Sequence, residues 1–189
     1  LGWTGPGGEW VDPRDSDNEA VRYAANDGYL DVVRALLEWT GPGGEWMDPR
    51  DRDNAAVRYA STGGHVEVVR VLLGWTGPGG EWVDPRDSDN VAVRNAAENG
   101  RVDVVQTLLE WRGPRGEWVD IDTARAATER RDILLLCDEE ASVRAGWSLF
   151  RRAWVGAVAM GVAARKAREG VHLAGSRGGM GGPGKRGKG

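Results

Sequence analysis

The chain has 189 residues, ten of them tryptophan and one of them cysteine. That length suits one ordinary domain plus an appendage, and the lone Cys137 excludes an internal disulfide and a cysteine-ligated zinc site. The net charge of −4 is a sum of opposites: residues 1–140 carry 28 Asp and Glu against 15 Arg (−13), and residues 141–189 carry one acid, Glu169, against ten Lys and Arg (+9), which points to two regions with different tasks.

Leu1 stands where Leu37 and Leu73 stand in their own units, so the chain is expected to open in mid-repeat, as a fragment or processed product. A single thiol is compatible with a reducing, intracellular setting. The first stretch, Trp3 to Trp10, returns at a fixed step of thirty-six: Trp3, Trp39, Trp75 and Trp111, then Trp10, Trp46, Trp82 and Trp118. Gly28, Gly64 and Gly100 keep the same step, as do Leu36, Leu72 and Leu108. A period of this size is the signature of stacked repeats.

Within a unit, Asp17 and Asn18 precede an Ala-Val-Arg run, as do Asp53 and Asn54, and Asp89 and Asn90. Their side chains are expected to accept the free N–H groups of a first helical turn. The spacing predicts a short helix over 19–26, stopped by Gly28, which can adopt the left-handed conformation. A second helix is predicted over 30–38, with Leu30, Val33, Leu36 and Leu37 on one face. So short a pair cannot bury its own apolar face, so each unit must lean on its neighbours. Between units, Pro42 and Gly43 fit the central positions of a type II turn, which predicts a β-hairpin-like finger flanked by Trp39 and Trp46.

The pattern Ala-Ala-x-x-Gly-x-x-x-Val-Val-Arg-x-Leu-Leu occupies 24–37, 60–73 (Ser61 for the second Ala) and 96–109 (Gln106 for the Arg). It resembles ankyrin repeats over residues 1–137: a partial first unit, three clear helix pairs and a degenerate capping unit. The usual Thr-Pro-Leu-His start is replaced by Glu19-Ala-Val-Arg22 and its copies, as in the similar arrays of protists and large DNA viruses. The resemblance implies an all-α helix-pair solenoid. It also implies a non-enzymatic scaffold that binds a partner protein through finger tips and the concave helix face.

After Trp118 the register fails. Residues 120–137 are expected to cap the array, with Glu129, Arg130, Arg131 and Asp132 outward and Ile133 to Leu136 inward. Residues 138–170 read as a helical extension that begins at the acids Asp138, Glu139 and Glu140. Its apolar core, 153–164, reaches about 18 Å, too short for a hydrocarbon layer of about 30 Å. Residues 171–189, basic and Gly-rich, have little to bury and are expected to be disordered.

The candidate site residues form three columns. Trp10, Trp39, Trp46, Trp75, Trp82, Trp111 and Trp118 either grip a partner as an aromatic row or pack finger against finger and close the array. Arg22, Arg58 and Arg94 either pair with the neighbouring Asp residues or line the concave face. Tyr23, Tyr59 and Asn95 vary between otherwise similar units, so stacking does not dictate them. Asp15, Asp17 and Asn18 resemble the opening of a calcium loop, but Ala20 stands where that loop needs Gly. No metal site, cofactor site, phosphate loop or catalytic constellation is read from the chain, and no small-molecule substrate is expected. The expected partner is a protein. The alternative is an adaptor tethered to an anionic membrane or nucleic acid through 147–189, by Arg151, Arg152, Arg165 and Lys166 and by the tail cations. Trp147 and Trp154 could instead dock on the last repeat.

Overall fold

The computed structural model describes residues 12–148. Trp3, Trp10, Trp154, most of the predicted C-terminal helix and the tail lie outside the described residues. The chain forms two compact units, Leu1–Ala141 and Ser142–Gly189.

The first unit is a ladder of helix pairs. Its helices are α1 (Asp15–Asn26), α2 (Leu30–Leu37), α3 (Asp51–Gly63), α4 (Val66–Leu73), α5 (Asp87–Glu98), α6 (Val102–Glu110) and α7 (Ile121–Ala126). The first helices pack in one row, α1 on α3 on α5 on α7, and the second helices pack in another, α2 on α4 on α6. Every helix pair therefore leans on its neighbour, as units too short to bury their own faces require.

The helix starts differ from the expected caps. Ser16, Asp17 and Asn18 have φ of 57°, 58° and 55°, and the same left-handed turn recurs at Arg52, Asp53 and Asn54 and at Ser88, Asp89 and Asn90. The right-handed helix thus begins at Glu19, as predicted, but behind a left-handed turn. Asn and Asp tolerate this conformation better than other residues with a Cβ. Asn18 does not cap its own helix. Its amide donates to the Asp51 carboxylate, and its Oδ1 accepts the Asp48 N–H at 3.3 Å, both in the next repeat. Asn54 donates to Asp87 in the same way, and Asn90 Oδ1 takes the Asp120 N–H at 3.1 Å. A residue expected to start a helix instead ties two repeats together. Among α1–α7 a side-chain cap is found at α7, where Asp120 accepts the N–H groups of Asp122 and Thr123.

The helix stops follow expectation. Gly28 has φ of +76°, and the Tyr29 N–H reaches back to the Ala24 carbonyl at 2.9 Å. His65 and Arg101 repeat that bond to Ala60 and Ala96, the pattern of a left-handed helix terminator.

The core is one apolar seam. Leu72 and Leu108 are fully buried, and Leu36 packs against the same cluster while partly exposed. Ala24, Ala25, Ala60, Ala96 and Ala97 keep the first helices close to the second. Met47, Val83 and Val119, each following the second finger Trp, are also buried, so each finger is anchored by one apolar plug.

In the cap, Glu129, Arg130, Arg131 and Asp132 face solvent and Ile133 and Cys137 are buried. Leu135, expected inward, is 57% exposed. Residues 131–141 are already helical, so Ile133 and Cys137 face the core four residues apart and Leu135 points away. Asp138 therefore lies inside a helix rather than at the start of one. In the second unit, residues 142–148 are helical and Trp147 is exposed.

Candidate functional site

Each finger is built by the same local chemistry. The Gly44 N–H bonds the Gly41 carbonyl at 3.0 Å, the Gly41 N–H bonds the Glu45 carbonyl at 2.8 Å, and Thr40 pairs with Trp46 in a single antiparallel bridge. Among the described residues this pairing does not extend into a strand. The turn also differs from the predicted type. Positive φ falls on Gly44 (+85°) and not on Gly43, as in a type I turn followed by a left-handed residue. The fourth finger shows why: Arg115 occupies the Gly43 position, and Gly116 keeps φ at +83°. Glu45 closes the tip by accepting the Gly43 N–H at 2.8 Å, and Glu81 and Glu117 do the same in the next two fingers. The Glu45 N–H first, and then that bond, hold the Glu45 carboxyl below its ordinary range, against a smaller opposing effect of burial.

The Trp rows interlock. Trp46 of one finger stacks on Trp75 of the next, with ring centroids 5.4 Å apart. An Asp-Pro-Arg triplet after each of the first three fingers adds a second contact, which sequence reasoning missed. The Arg14 guanidinium is held by Asp12 at 2.7 Å, Arg50 by Asp48 at 2.7 Å and Arg86 by Asp84 at 2.6 Å. So held, these cations sit over the rings of Trp39, Trp75 and Trp111 at 5.6, 5.9 and 5.9 Å, within cation–π range. The signal was available in the Arg that follows each Asp-Pro at the step of thirty-six. At Asp84, burial alone would raise the pKa, but the Arg86 guanidinium and N–H together outweigh it and lower it. In the last finger Arg112 lies over Trp118 at 3.3 Å and pairs with Glu140 at 2.7 Å, while Arg115 reaches Trp82. All six described finger tryptophans are half-buried.

The Arg column does not pair with the Asp carboxylates. Arg22 is buried and donates to the main-chain carbonyls of Ser16 (2.9 Å) and Asp17 (3.2 Å); Arg58 donates to the Arg52 carbonyl at 2.8 Å. These guanidiniums hold the left-handed turns through main-chain carbonyls. Arg94 takes the equivalent place in α5 and is half-buried.

In the third column the two tyrosines lie open and Asn95 is half-buried. Tyr23 is 62% and Tyr59 41% exposed, one repeat apart on the first helices, and Asn95 follows in register. Asn95 donates to Thr62 of the preceding repeat at 3.2 Å. At the helix–helix turns, His65 reaches back to the Asn26 carbonyl at 2.9 Å and Arg101 to that of Thr62 at 3.1 Å, so adjacent first helices are locked in register under these side chains.

Against known proteins, the model of a family described as "Ankyrin repeats (3 copies)" matches residues 21–122, more than half of the chain. The chain belongs to the ankyrin repeat family. No curated protein and no solved structure matches it. Ankyrin repeats are in general protein–protein interaction modules, and the matched span holds the helix pairs and the three fingers just described. Among the described residues, no helix is long and apolar enough to cross a membrane.

Proposed function

We propose that this ankyrin array is a non-enzymatic scaffold that holds a partner protein along the row of first helices, with Tyr23, Tyr59 and Asn95 as the central contacts and the finger tips as one rim. The observation that carries this reading is the exposure of two tyrosines in register, while the core side chains that surround them in the same helices are buried. Tyrosine suits such a surface because it offers large, stiff, amphipathic area at low entropic cost. The finger tryptophans serve mainly as the spine that spaces the tips, since packing within the array already covers much of each described side chain; their outer edges remain available to a bound chain.

A photo-crosslinking residue at position 59 tests this. It should trap a discrete partner in the source cells, and one at Val32, exposed on α2, should not. Equal trapping at both positions would argue against the first-helix surface.

A second reading rests on the +9 balance of residues 141–189: an adaptor that also tethers to an anionic membrane or to nucleic acid. Deleting 147–189 should then abolish liposome or RNA binding at low salt and leave partner trapping intact. If the intact chain binds neither, this reading falls.

A further inference from the structure

Repeat symmetry exposes one difference between junctions. At the first, the Arg52 guanidinium of the second left-handed turn reaches back to Asp17, with Nη2 at 2.8 Å and Nε at 3.1 Å from one carboxylate oxygen. One repeat later, Asp53 stands where Asp17 stood, and Ser88 stands where Arg52 stood, in the same left-handed backbone (φ of 54° and 53°). Among the described residues, Asp53 therefore has no guanidinium that reaches it as Arg52 reaches Asp17. It is exposed and lacks an ion-pair partner among the described residues.

Asp53 lines a groove of about 500 Å³ between the second left-handed turn and the third finger. Glu81, Asp84, Asp87 and Arg50 line the same groove, four carboxylates to one cation. Arg50 is matched by Asp48 and Asp84 by Arg86, which leaves Asp53, Glu81 and Asp87 without an ion pair among the described residues, so the groove is electronegative. One lining acceptor lacks a donor: Asn54 is 4% exposed, and its Oδ1 is buried without a hydrogen bond.

We propose that this groove binds the side chain of an arginine in an extended basic segment of a partner protein, with Asp53 taking the guanidinium as Asp17 takes that of Arg52. Arginine fits better than lysine. The internal template is a two-nitrogen contact that only a guanidinium makes. The Trp82 ring also offers a planar cation a face, as it does to Arg115 at 5.4 Å. The proposal rests on the protein-binding reading but uses a different surface from the tyrosine row, so each can fail alone.

The test is an NMR titration of the full chain, following the Trp82 indole and Asn54 amide signals. The probes are the peptide Ac-Gly-Arg-Gly-NH2 and its citrulline counterpart. The arginine peptide should shift both signals saturably at millimolar concentration, and the citrulline peptide should not. Asp53→Asn keeps a residue that tolerates the left-handed turn, and should weaken binding at least tenfold. Ser88→Arg recreates the first junction in the second and should block the site from within, again at least tenfold. Tyr23→Ala/Tyr59→Ala should leave the titration unchanged. Equal shifts from citrulline, or unchanged affinity in both Asp53→Asn and Ser88→Arg, would overturn the assignment. So would a concentration-dependent dimer lost in Asp53→Asn, because the occupant would then be the basic end of a second copy.

Discussion

Truncation of one seam leucine tests the stacking account at atomic scale. Leu72 is fully buried at the centre of the array, and Leu36, the same residue one repeat earlier, is only partly covered. Leu72→Ala removes the transfer free energy of a buried side chain and leaves a cavity between repeats, about 3 kcal/mol in sum. Leu36→Ala loses a smaller transfer contribution and opens little enclosed space, so about 1–2 kcal/mol is expected. With a urea slope of about 2 kcal/mol/M, Leu72→Ala should lower the midpoint by about 1.5 M and Leu36→Ala by about 0.5–1 M. Far-UV circular dichroism in a urea series reads both. A Leu36→Ala shift equal to or larger than that of Leu72→Ala would refute the reasoning, because the seam would then not be deepest in the middle unit.

Two other outcomes follow from the same geometry. Gly44→Ala places a side chain at φ of +85° and should cost about 1 kcal/mol or more of stability. Gly43→Ala should be close to neutral in the same melt, since its φ is not positive and Arg115 carries a side chain at the same place while its N–H still bonds Glu117. The depressed carboxyls of Asp12, Glu45, Asp84 and Asp132 contribute to the acid limb of stability. Their contribution is complete above the ordinary carboxyl pKa of about 4 and is lost as pH falls through their lower folded values. Thermal midpoints should therefore hold from pH 7 to about 5 and drop below about 4, and Asp84→Asn should flatten that drop.

Much of the fold was legible in the residues. The step of thirty-six, the terminating Gly28, Gly64 and Gly100, and the one-sided leucines identify helix pairs that must stack, because those signals are local. The site was less legible wherever a side chain spends its hydrogen bonds on another repeat. Asn18 reads as a helix cap until its partners prove to be thirty and thirty-three residues away. Arg22 looked like an ion-pair partner for the Asp column, yet a left-handed turn offers it carbonyls instead. No propensity argument puts three consecutive residues with a Cβ in that conformation, so the turn itself was out of reach. The finger turn was within reach. Arg115, in place of Gly43, shows that its third position needs no positive φ. Leu135 illustrates a different limit: an apolar run gives no phase until the helix start at 131 sets it.

The division of labour between tryptophans and tyrosines is the claim on which the functional account stands. Its most direct measurement compares Trp46→Ala with Tyr23→Ala/Tyr59→Ala, recording both the urea midpoint and the yield of partner trapped by a photo-crosslinker at Asn95. Trp46→Ala, which removes the stack on Trp75, should lower stability by about 1–3 kcal/mol and leave trapping unchanged while the chain is folded. The tyrosine pair should leave the midpoint within about 0.5 kcal/mol of the parent and abolish trapping. The opposite pattern, with trapping lost at unchanged stability in Trp46→Ala and retained in the tyrosine variant, would contradict the account.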